Sequence, residues 1–350
     1  LSDPLTHMVR NAVDHVISTP EERMRVGKKR QGTVRIEARH EAGQVVVEIA
    51  DDGQGIDSQR VAQSALNKGL ITPEKLAALK EAGVTRVSLG VQSFDDATLD
   101  TLGRRHSPKQ IMEAWKAIED VGFKSRNLDL IFAIPGQDDQ RWMEDLRKVV
   151  DLNPNHISTY CLTFEEDTAM YVKMSQGKVK IDKDLEAFLY RRTWEFLETK
   201  GYAQYEISNF AQAGHACEHN LITWEMGEWA GYGPSASSQW NGQRWNNPAN
   251  LEGWLAGIEK NQPVREQTKS LSAADLLSDS LVFGLRLNAG VSPFALAARF
   301  ETELPKGVLN LFANLVEEGL MELVGENFRL TGEGRMRADA VGVAVLEQFD

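Results

Sequence analysis

The sequence contains two cysteines, Cys161 and Cys217, and they are 56 residues apart. An iron–sulfur cluster with four irons takes at least three protein thiolates as ligands. We therefore expect that these 350 residues hold no such cluster. A structural disulfide is not expected either, because the chain shows the features of a cytosolic protein, where thiols stay reduced.

Two glycine-containing segments could bring backbone close to a ligand. The first has the pattern Asp-x-Gly-x-Gly, with Asp51, Gly53 and Gly55 at the end of a predicted strand. Glycines there would allow close approach of a nucleotide to the backbone, although acids beside glycines also form plain turns. The second contains Gly231 and Gly233. No Lys-Ser or Lys-Thr pair follows it, so the sequence does not predict a phosphate-binding loop.

Alternating helices and strands predict the elements that must position such residues. Apolar periodicity predicts a helical segment before each of four strands, in the order 73–82, 86–90, 109–121, 126–132, 140–152, 156–162, 184–200 and 205–208. This alternation is typical of a parallel sheet with crossover helices. In such folds a ligand lies beyond the carboxyl ends of the strands. An earlier hairpin is predicted at 33–38 and 44–50.

The ends of these strands carry the most specific motifs of the chain. They read SLGVQSF, DLIFAIPGQ, STYCLTFEEDTAMY and YEISNFA. Together they resemble the second half of the barrel in HemW-type radical SAM proteins, of the oxygen-independent coproporphyrinogen III oxidase family. The resemblance implies that Gln92, Arg104 and Asp129 contact S-adenosylmethionine. An amide, a cation and an acid suit a zwitterionic ligand with ribose hydroxyls. The alternative is that they satisfy loop backbone at the barrel rim.

Residues 214–247 resemble the C-x-H-N-x-x-Y-W and G-x-G-x-x-A-H-S region of the same family. Thr223 replaces its usual tyrosine, and Ser237 replaces its usual histidine. The resemblance implies haem handling, with His219 as the axial-ligand candidate ahead of Cys217 and His215, because neutral imidazole is a good iron ligand. The other interpretation is that His219 and Asn220 satisfy loop carbonyls, while three tryptophans pack as core: Trp224, Trp229 and Trp240.

The first 72 residues resemble a different family. LTHMVRNAVDH and VEIADDGQGID are similar to the N box and G1 box of the ATP-binding domain of CheA-type chemotaxis histidine kinases. The resemblance implies that Asn11 held Mg²⁺, that Asp51 accepted from adenine, and that Gly53 and Gly55 approached the nucleotide. The sequence lacks that family's F box, second glycine box and ATP lid, so we expect only a remnant of an ATP site and no binding of ATP or Mg²⁺.

The resemblances together predict an α/β fold in three parts. Residues 1–72 would be a fragment of a GHKL-type α/β sandwich, 73–268 a partial radical SAM (β/α) barrel, and 269–350 a C-terminal winged-helix-like α domain. Residues 1–72 hold ten basic and ten acidic side chains, whereas the whole chain has a net charge of −12. The acidic balance argues against nucleic acid as a partner. No signal peptide or membrane span is evident, so we expect a cytoplasmic protein.

The resulting hypothesis is a HemW-like protein of haem and porphyrin metabolism. It would be a haem chaperone or a relative of coproporphyrinogen III oxidase, with haem or a tetrapyrrole as ligand and a haem-acceptor protein as partner. The family's CxxxCxxC motif is absent from the sequence, so its 4Fe-4S cluster and radical chemistry are not expected here, and we predict no enzymatic activity. Two alternatives are an ATP-binding fragment of a sensor histidine kinase and a chimeric chain without function.

Overall fold

The computed structural model describes residues 23–24, 29, 31, 34–41, 44–51, 72–163, 174–177, 182–260 and 265–349, and for 34–41 and 44–51 it describes the backbone pairing alone. The chain divides into two compact units, Leu1–Thr72 and Pro73–Asp350. In the first unit, strands β1 (Val34–Glu41) and β2 (Gln44–Asp51) form an antiparallel hairpin. Their register pairs Val34 with Asp51 and Glu41 with Gln44. The hairpin predicted at 33–38 and 44–50 is therefore present, but its first strand continues to Glu41.

The second unit is built on a mixed five-stranded sheet. Its strand order is β3-β4-β5-β7-β6. The first three strands run parallel, and the last two join antiparallel. The strands are β3 (Arg86–Gln92), β4 (Ser125–Phe132), β5 (His156–Cys161), β6 (Ala203–Glu206) and β7 (Asn209–Ala211). The α/β class is therefore as predicted. The strand predicted at 205–208 is wrong in its bounds, because 205–206 end β6 and 207–208 form the tight turn to β7.

Helices cover one face of this sheet. They are α1 (Pro73–Glu81), α2 (Asp96–Thr101), α3 (Pro108–Val121), α4 (Asp139–Asp151) and α5 (Lys183–Thr199). Side chains at every second position of β4, namely Leu128, Leu130 and Phe132, pack beneath these helices in one apolar core. The helices begin at polar caps: the Ser107 side chain accepts from the Gln110 amide in a capping box before Pro108. Such caps satisfy amides that the first turn would leave unpaired.

A small antiparallel sheet and two short helices follow the main sheet. The small sheet has the order β10-β9-β8. Its elements are α6 (Glu218–Trp224), β8 (Ser237–Trp240), β9 (Gln243–Asn246), α7 (Leu251–Glu259) and β10 (Glu266–Ser270). The prediction of a tryptophan core is wrong for Trp240, whose side chain is exposed because it lies next to the β8–β9 turn. Trp224 and Trp229 are partly buried.

The C-terminal part has its own apolar core. Its elements are α8 (Ala273–Gly284), α9 (Pro293–Arg299), α10 (Lys306–Glu317), β11 (Met321–Val324), β12 (Asn327–Leu330), α11 (Gly332–Arg335) and α12 (Ala338–Leu346). The last two helices are separate, because Arg337 between them leaves helical geometry. Asn288 joins this part to β6, where its amide nitrogen and side chain donate to the Tyr205 and Gln204 carbonyls. Across the residues that the structure describes, no helix is both long and apolar enough to cross a membrane.

Candidate functional site

Polar side chains line the face of the main sheet that is opposite to the helices. The register places Ser88, Asn127 and His156 side by side on β3, β4 and β5. Asp129 and Ser158 lie two residues further along and therefore on the same face. The opposite face of the same strands holds the apolar core. We call this polar side the inner face of the sheet, and polar groups that converge in this way mark the candidate site.

Hydrogen bonds join these side chains into one network across three strands. Asn127 Nδ2 lies 2.6 Å from Ser88 Oγ and 2.6 Å from Asp129 Oδ1. Ser88 Oγ donates to Asp129 Oδ2 at 2.8 Å. Asn127 Oδ1 lies 2.6 Å from His156 Nδ1 and accepts from Ser158 Oγ at 3.3 Å. Because these groups satisfy each other, the face is polar without the cost of unpaired buried atoms.

Burial controls the protonation of groups around this network. His156 is fully buried. Desolvation, with the nearby positive charge of Arg86 and with His215, lowers its pKa to about 3. Burial raises the pKa of the Glu206 carboxyl, which accepts from Asn209 Nδ2 and from the Ser208 amide at 3.2 Å. The ring of His156 is therefore neutral at physiological pH, where it acts as one donor and one acceptor.

The three residues predicted to contact S-adenosylmethionine lie at one end of the sheet. Gln92 is the last residue of β3 and pairs with Leu130, one position beyond Asp129. Arg104 lies in the loop that follows α2, and the His106 ring nitrogen, 3.1 Å from the Val91 carbonyl, fastens this loop to the end of β3. The Arg104 side chain is exposed and makes no hydrogen bond or ion pair with any described residue.

A buried carboxylate supports the backbone just after Gln92. Asp145 on α4 accepts from Ser93 Oγ at 2.6 Å and from the Phe94 amide at 2.8 Å. Burial raises the pKa of Asp145. Gln92 itself has a φ of 67°, which only a minority of non-glycine residues adopt. The Asp145 contacts hold the backbone in this uncommon conformation and so fix the position from which the Gln92 side chain extends.

The haem-ligand candidates lie around the first turn of α6. His219 is the second residue of this helix, and its side chain is exposed. Ile222, three residues later on the same helical face, is also exposed. Cys217 is buried and forms the N-cap residue, whereas His215 is partly buried and close enough to His156 to lower its pKa. Of the three candidates, His219 is the one that solvent reaches most freely.

The residues present do not fit an iron–sulfur cluster. No group of three or more His, Cys, Asp or Glu side chains in the described part of the chain could hold a metal ion. Burial raises the pKa of the Cys161 thiol to about 12. Together with Cys217 this gives two thiols, fewer than the three that such a cluster takes. By contrast, the exposed imidazole of His219 fits a haem iron. The amide, cation and carboxylate at Gln92, Arg104 and Asp129 fit the polar groups of S-adenosylmethionine.

Of the four residues predicted to remain from an ATP site, only Asp51 belongs to the described residues. Asn11, Gly53 and Gly55 lie outside the described residues. Asp51 is the last residue of β2, where its backbone pairs with Val34.

Several residues of the network were not singled out from the sequence. Asn127 and His156 join it only because the strand register brings them together. One signal was present in the sequence: Asn127 and Asp129 alternate with Leu128 and Leu130, and His156 and Ser158 flank Ile157. A polar side chain at every second position predicts a polar face.

Comparisons with known proteins place two family models on the chain. The Radical SAM superfamily matches residues 44–149, and the HemN C-terminal domain matches residues 271–337. The first match begins inside the segment that resembles a histidine kinase, so residues 44–72 carry two competing assignments. The second match lies within residues 269–350, whose bounds as a separate domain stay a prediction.

Curated relatives and a solved structure agree with these matches. The chain is 32% identical over 281 residues to the heme chaperone HemW of Bacillus subtilis, and the alignment covers 80% of this chain and 74% of that relative. It is 35% identical over 273 residues to HemW of Mycobacterium tuberculosis, and this alignment covers 77% of this chain and 67% of that relative. The structure of coproporphyrinogen III oxidase (HemN) from Escherichia coli superposes with a TM-score of 0.64 at 19% sequence identity. The superposition covers 79% of this chain and 67% of the HemN chain. That structural likeness shows a shared fold.

Proposed function

Because the chain belongs to the HemW-type radical SAM family, we propose that it binds haem as cargo, with His219 as the axial ligand. The observation that carries this proposal is the exposed imidazole of His219 on the first turn of α6. Neutral imidazole is a common ligand of haem iron. The exposed side chain of Ile222 on the same face would pack against the apolar tetrapyrrole plane.

The chaperone activity is favoured over the oxidase activity. The motifs GVQSF at residues 90–94 and HNLITW at residues 219–224 support this choice. We also propose that these 350 residues perform no radical chemistry, because their two thiols do not suit a cluster. A haem-acceptor protein is the proposed partner, and the cytoplasm is the proposed location.

The polar inner face provides a place for S-adenosylmethionine. Asp129 would accept from the ribose hydroxyls, Arg104 would pair with the carboxylate, and Gln92 would contact the ligand through its amide. When bound, the cofactor supplies an adenosyl group and a sulfonium. The role of this chain is to orient it, since Asn127 and Ser88 hold both oxygens of the Asp129 carboxylate in place.

Ancestry of residues 1–72 from a CheA-type histidine kinase is a second proposal. The two motif boxes support it, as does the position of Asp51 at a strand end. A chimeric origin of the chain would follow from it. We expect no function from this remnant, because the sequence lacks the boxes that bind phosphate in that family.

Haem titration of the full chain tests the lead proposal. We expect a saturable Soret shift for the unchanged protein and for His215→Ala. For His219→Ala we expect an affinity at least about tenfold lower, since loss of a group that only supports a metal ligand already costs about 10–100-fold. A Soret shift that survives His219→Ala but is lost in His215→Ala would show that His215, and not His219, is the ligand. No shift in the unchanged chain would overturn the proposed function.

A further inference from the structure

The Tyr205 hydroxyl connects the polar network of the sheet to the first turn of α6. Its oxygen lies 2.8 Å from His156 Nε2 on one side. On the other side it accepts a hydrogen bond from the Cys217 amide at 3.2 Å. Cys217 is the N-cap residue of α6, two positions before His219. A single hydroxyl therefore joins the inner face of the sheet to the helix that carries the proposed haem ligand.

One carboxylate, that of Asp129, determines the direction of each hydrogen bond along the path from Asp129 to Cys217. Asp129 can only accept, so the Asn127 amide group must point its Nδ2 at it. The Asn127 oxygen then faces His156, whose Nδ1 must carry the hydrogen. The other nitrogen of a neutral imidazole is an acceptor, so Tyr205 donates to it. The lone pairs of the Tyr205 oxygen are left to receive the Cys217 amide.

The beginning of α6 has no side-chain cap of its own. The Cys217 side chain makes no capping hydrogen bond, unlike the serine, aspartate and asparagine caps of other helices in this chain. The far end of α6 is held separately, since Arg299 donates to the Glu225 and Met226 carbonyls at 2.7 and 3.0 Å. The Tyr205 hydroxyl therefore supplies a contact at the first turn that the cap residue does not.

We infer that Tyr205 is a positioning residue for His219: its hydroxyl fixes the start of α6 and thereby the direction in which the imidazole is presented to haem. This inference rests on the proposed function, because it is through haem binding that the position of His219 would matter. Tyr205 does not touch the ligand. The rigid partner behind it is the buried His156, which the Asn127 side chain locks into one tautomer.

Tyr205→Phe removes this hydroxyl and keeps the ring. Tyr202→Phe is a matched control, because the buried Tyr202 hydroxyl donates to the Pro154 carbonyl at 2.7 Å and does not contact α6. Hydrogen–deuterium exchange without haem reports the first turn through the Leu221 amide, which donates to the Cys217 carbonyl at 3.0 Å. We expect Tyr205→Phe to speed this exchange about three- to ten-fold, the effect of one hydrogen bond. Tyr202→Phe should leave it unchanged.

The same variants are then titrated with haem. We expect Tyr205→Phe to weaken the His219-dependent Soret shift about three- to ten-fold and Tyr202→Phe to leave it unchanged, with thermal midpoints measured for both. Equal effects of the two variants would mean that tyrosine hydroxyls contribute to general stability alone, and would overturn the inference. Unchanged exchange at Leu221 in Tyr205→Phe would overturn it too, whether or not haem binds. Absence of a Soret shift in the unchanged chain would instead defeat the proposed function.

Discussion

At the scale of single residues, His156 shows how burial and hydrogen bonding select one protonation state. Its ring is fully buried between an acceptor, Asn127 Oδ1, and a donor, the Tyr205 hydroxyl. A charged imidazolium would need two acceptors and would lose its hydration. Burial, with the nearby Arg86 and His215, therefore places the folded pKa at about 3, below the ordinary value of 6.5. Protonation of His156 therefore favours the unfolded chain.

This depressed pKa predicts a loss of stability in mild acid. The contribution of His156 is present above pH 6.5 and is lost as the pH falls toward 3. Between pH 7.5 and pH 5 we expect a loss of about 2 kcal/mol in the free energy of unfolding, from about 1.4 kcal/mol for each pH unit below 6.5. Urea denaturation of the full chain at both pH values measures it.

The control for this prediction is His156→Gln, which keeps one donor and one acceptor but does not titrate. Glu206 and Asp145 have raised pKa values, so their contributions are present at low pH and are lost as the pH rises. These two contributions change with pH in the opposite direction to that of His156, and they are present in both the unchanged protein and the His156→Gln variant. The difference between the two pH profiles isolates the histidine. Parallel profiles would show that His156 is not responsible.

At the scale of elements, the turn before α9 packs directly against the C-terminal hairpin. Val291 exchanges two backbone hydrogen bonds with Phe328 of β12, at 2.9 and 2.8 Å. Gly290 precedes this pair with a φ of 68°, and a Cβ there would meet the Phe328 carbonyl and the Arg329 backbone. A side chain at this position would therefore need both a strained φ and a displaced strand.

Gly290→Ala is expected to destabilise the protein by about 2–4 kcal/mol, from φ strain and overpacking together. Gly319→Ala is the matched comparison, since Gly319 has a φ of 72° but open space where a Cβ would be. Its cost should be about 1 kcal/mol, from φ strain alone. Chemical denaturation of both variants checks the difference. Equal losses of stability in the two variants would mean that the hairpin moves away from the new Cβ at little cost and that the contact with β12 is not tightly packed.

The elements predicted from sequence agree with the structure where local pattern determines them. The parallel strands β3, β4 and β5, together with helices α3, α4 and α5, follow from periodicity and capping residues. The β6–β7 reversal was missed because a strand of three residues gives too short a pattern. The small sheet of β8, β9 and β10 was missed for a similar reason, since Gly-rich and Trp-rich sequence has no clear period.

The same limit applies to the candidate site. Motifs made Gln92, Arg104 and Asp129 candidates because these residues lie within the loops and strand ends that resemble a family. The links from Asp129 to His156 and from Tyr205 to Cys217 depend on strands and loops meeting across the fold. No local pattern encodes such a contact, so these links between residues became evident only in three dimensions.

At the scale of the whole molecule, two separate apolar cores divide the second unit. One lies under the main sheet and includes Leu128, and the other lies in the C-terminal domain around Phe312. Both side chains are fully buried. The two cores are joined by polar contacts, among them the Arg191–Glu333 ion pair at 2.8 Å and the Asn288 hydrogen bonds. Exposed ion pairs contribute little to stability, so the two cores should open independently.

Cavity-forming substitutions in each core test this independence. Phe312→Ala should cost about 3–5 kcal/mol and speed amide exchange within residues 273–349. Leu128→Ala should cost about 2–5 kcal/mol and speed exchange in β3, β4 and β5. Peptide-level hydrogen exchange of the full chain separates the two responses. A rise of exchange throughout the chain in either variant would show one cooperative unit instead.

The order of strands in the main sheet also has a consequence for synthesis on the ribosome. Strand β7 lies between β5 and β6, although β5 ends at residue 161 and β7 begins only at residue 209. At about 5–20 residues per second, translation leaves the edge of β5 without its neighbour for roughly 2–10 s. During this interval the nascent chain presents a strand edge that could pair wrongly. Chaperone protection is therefore most valuable while this stretch is being translated.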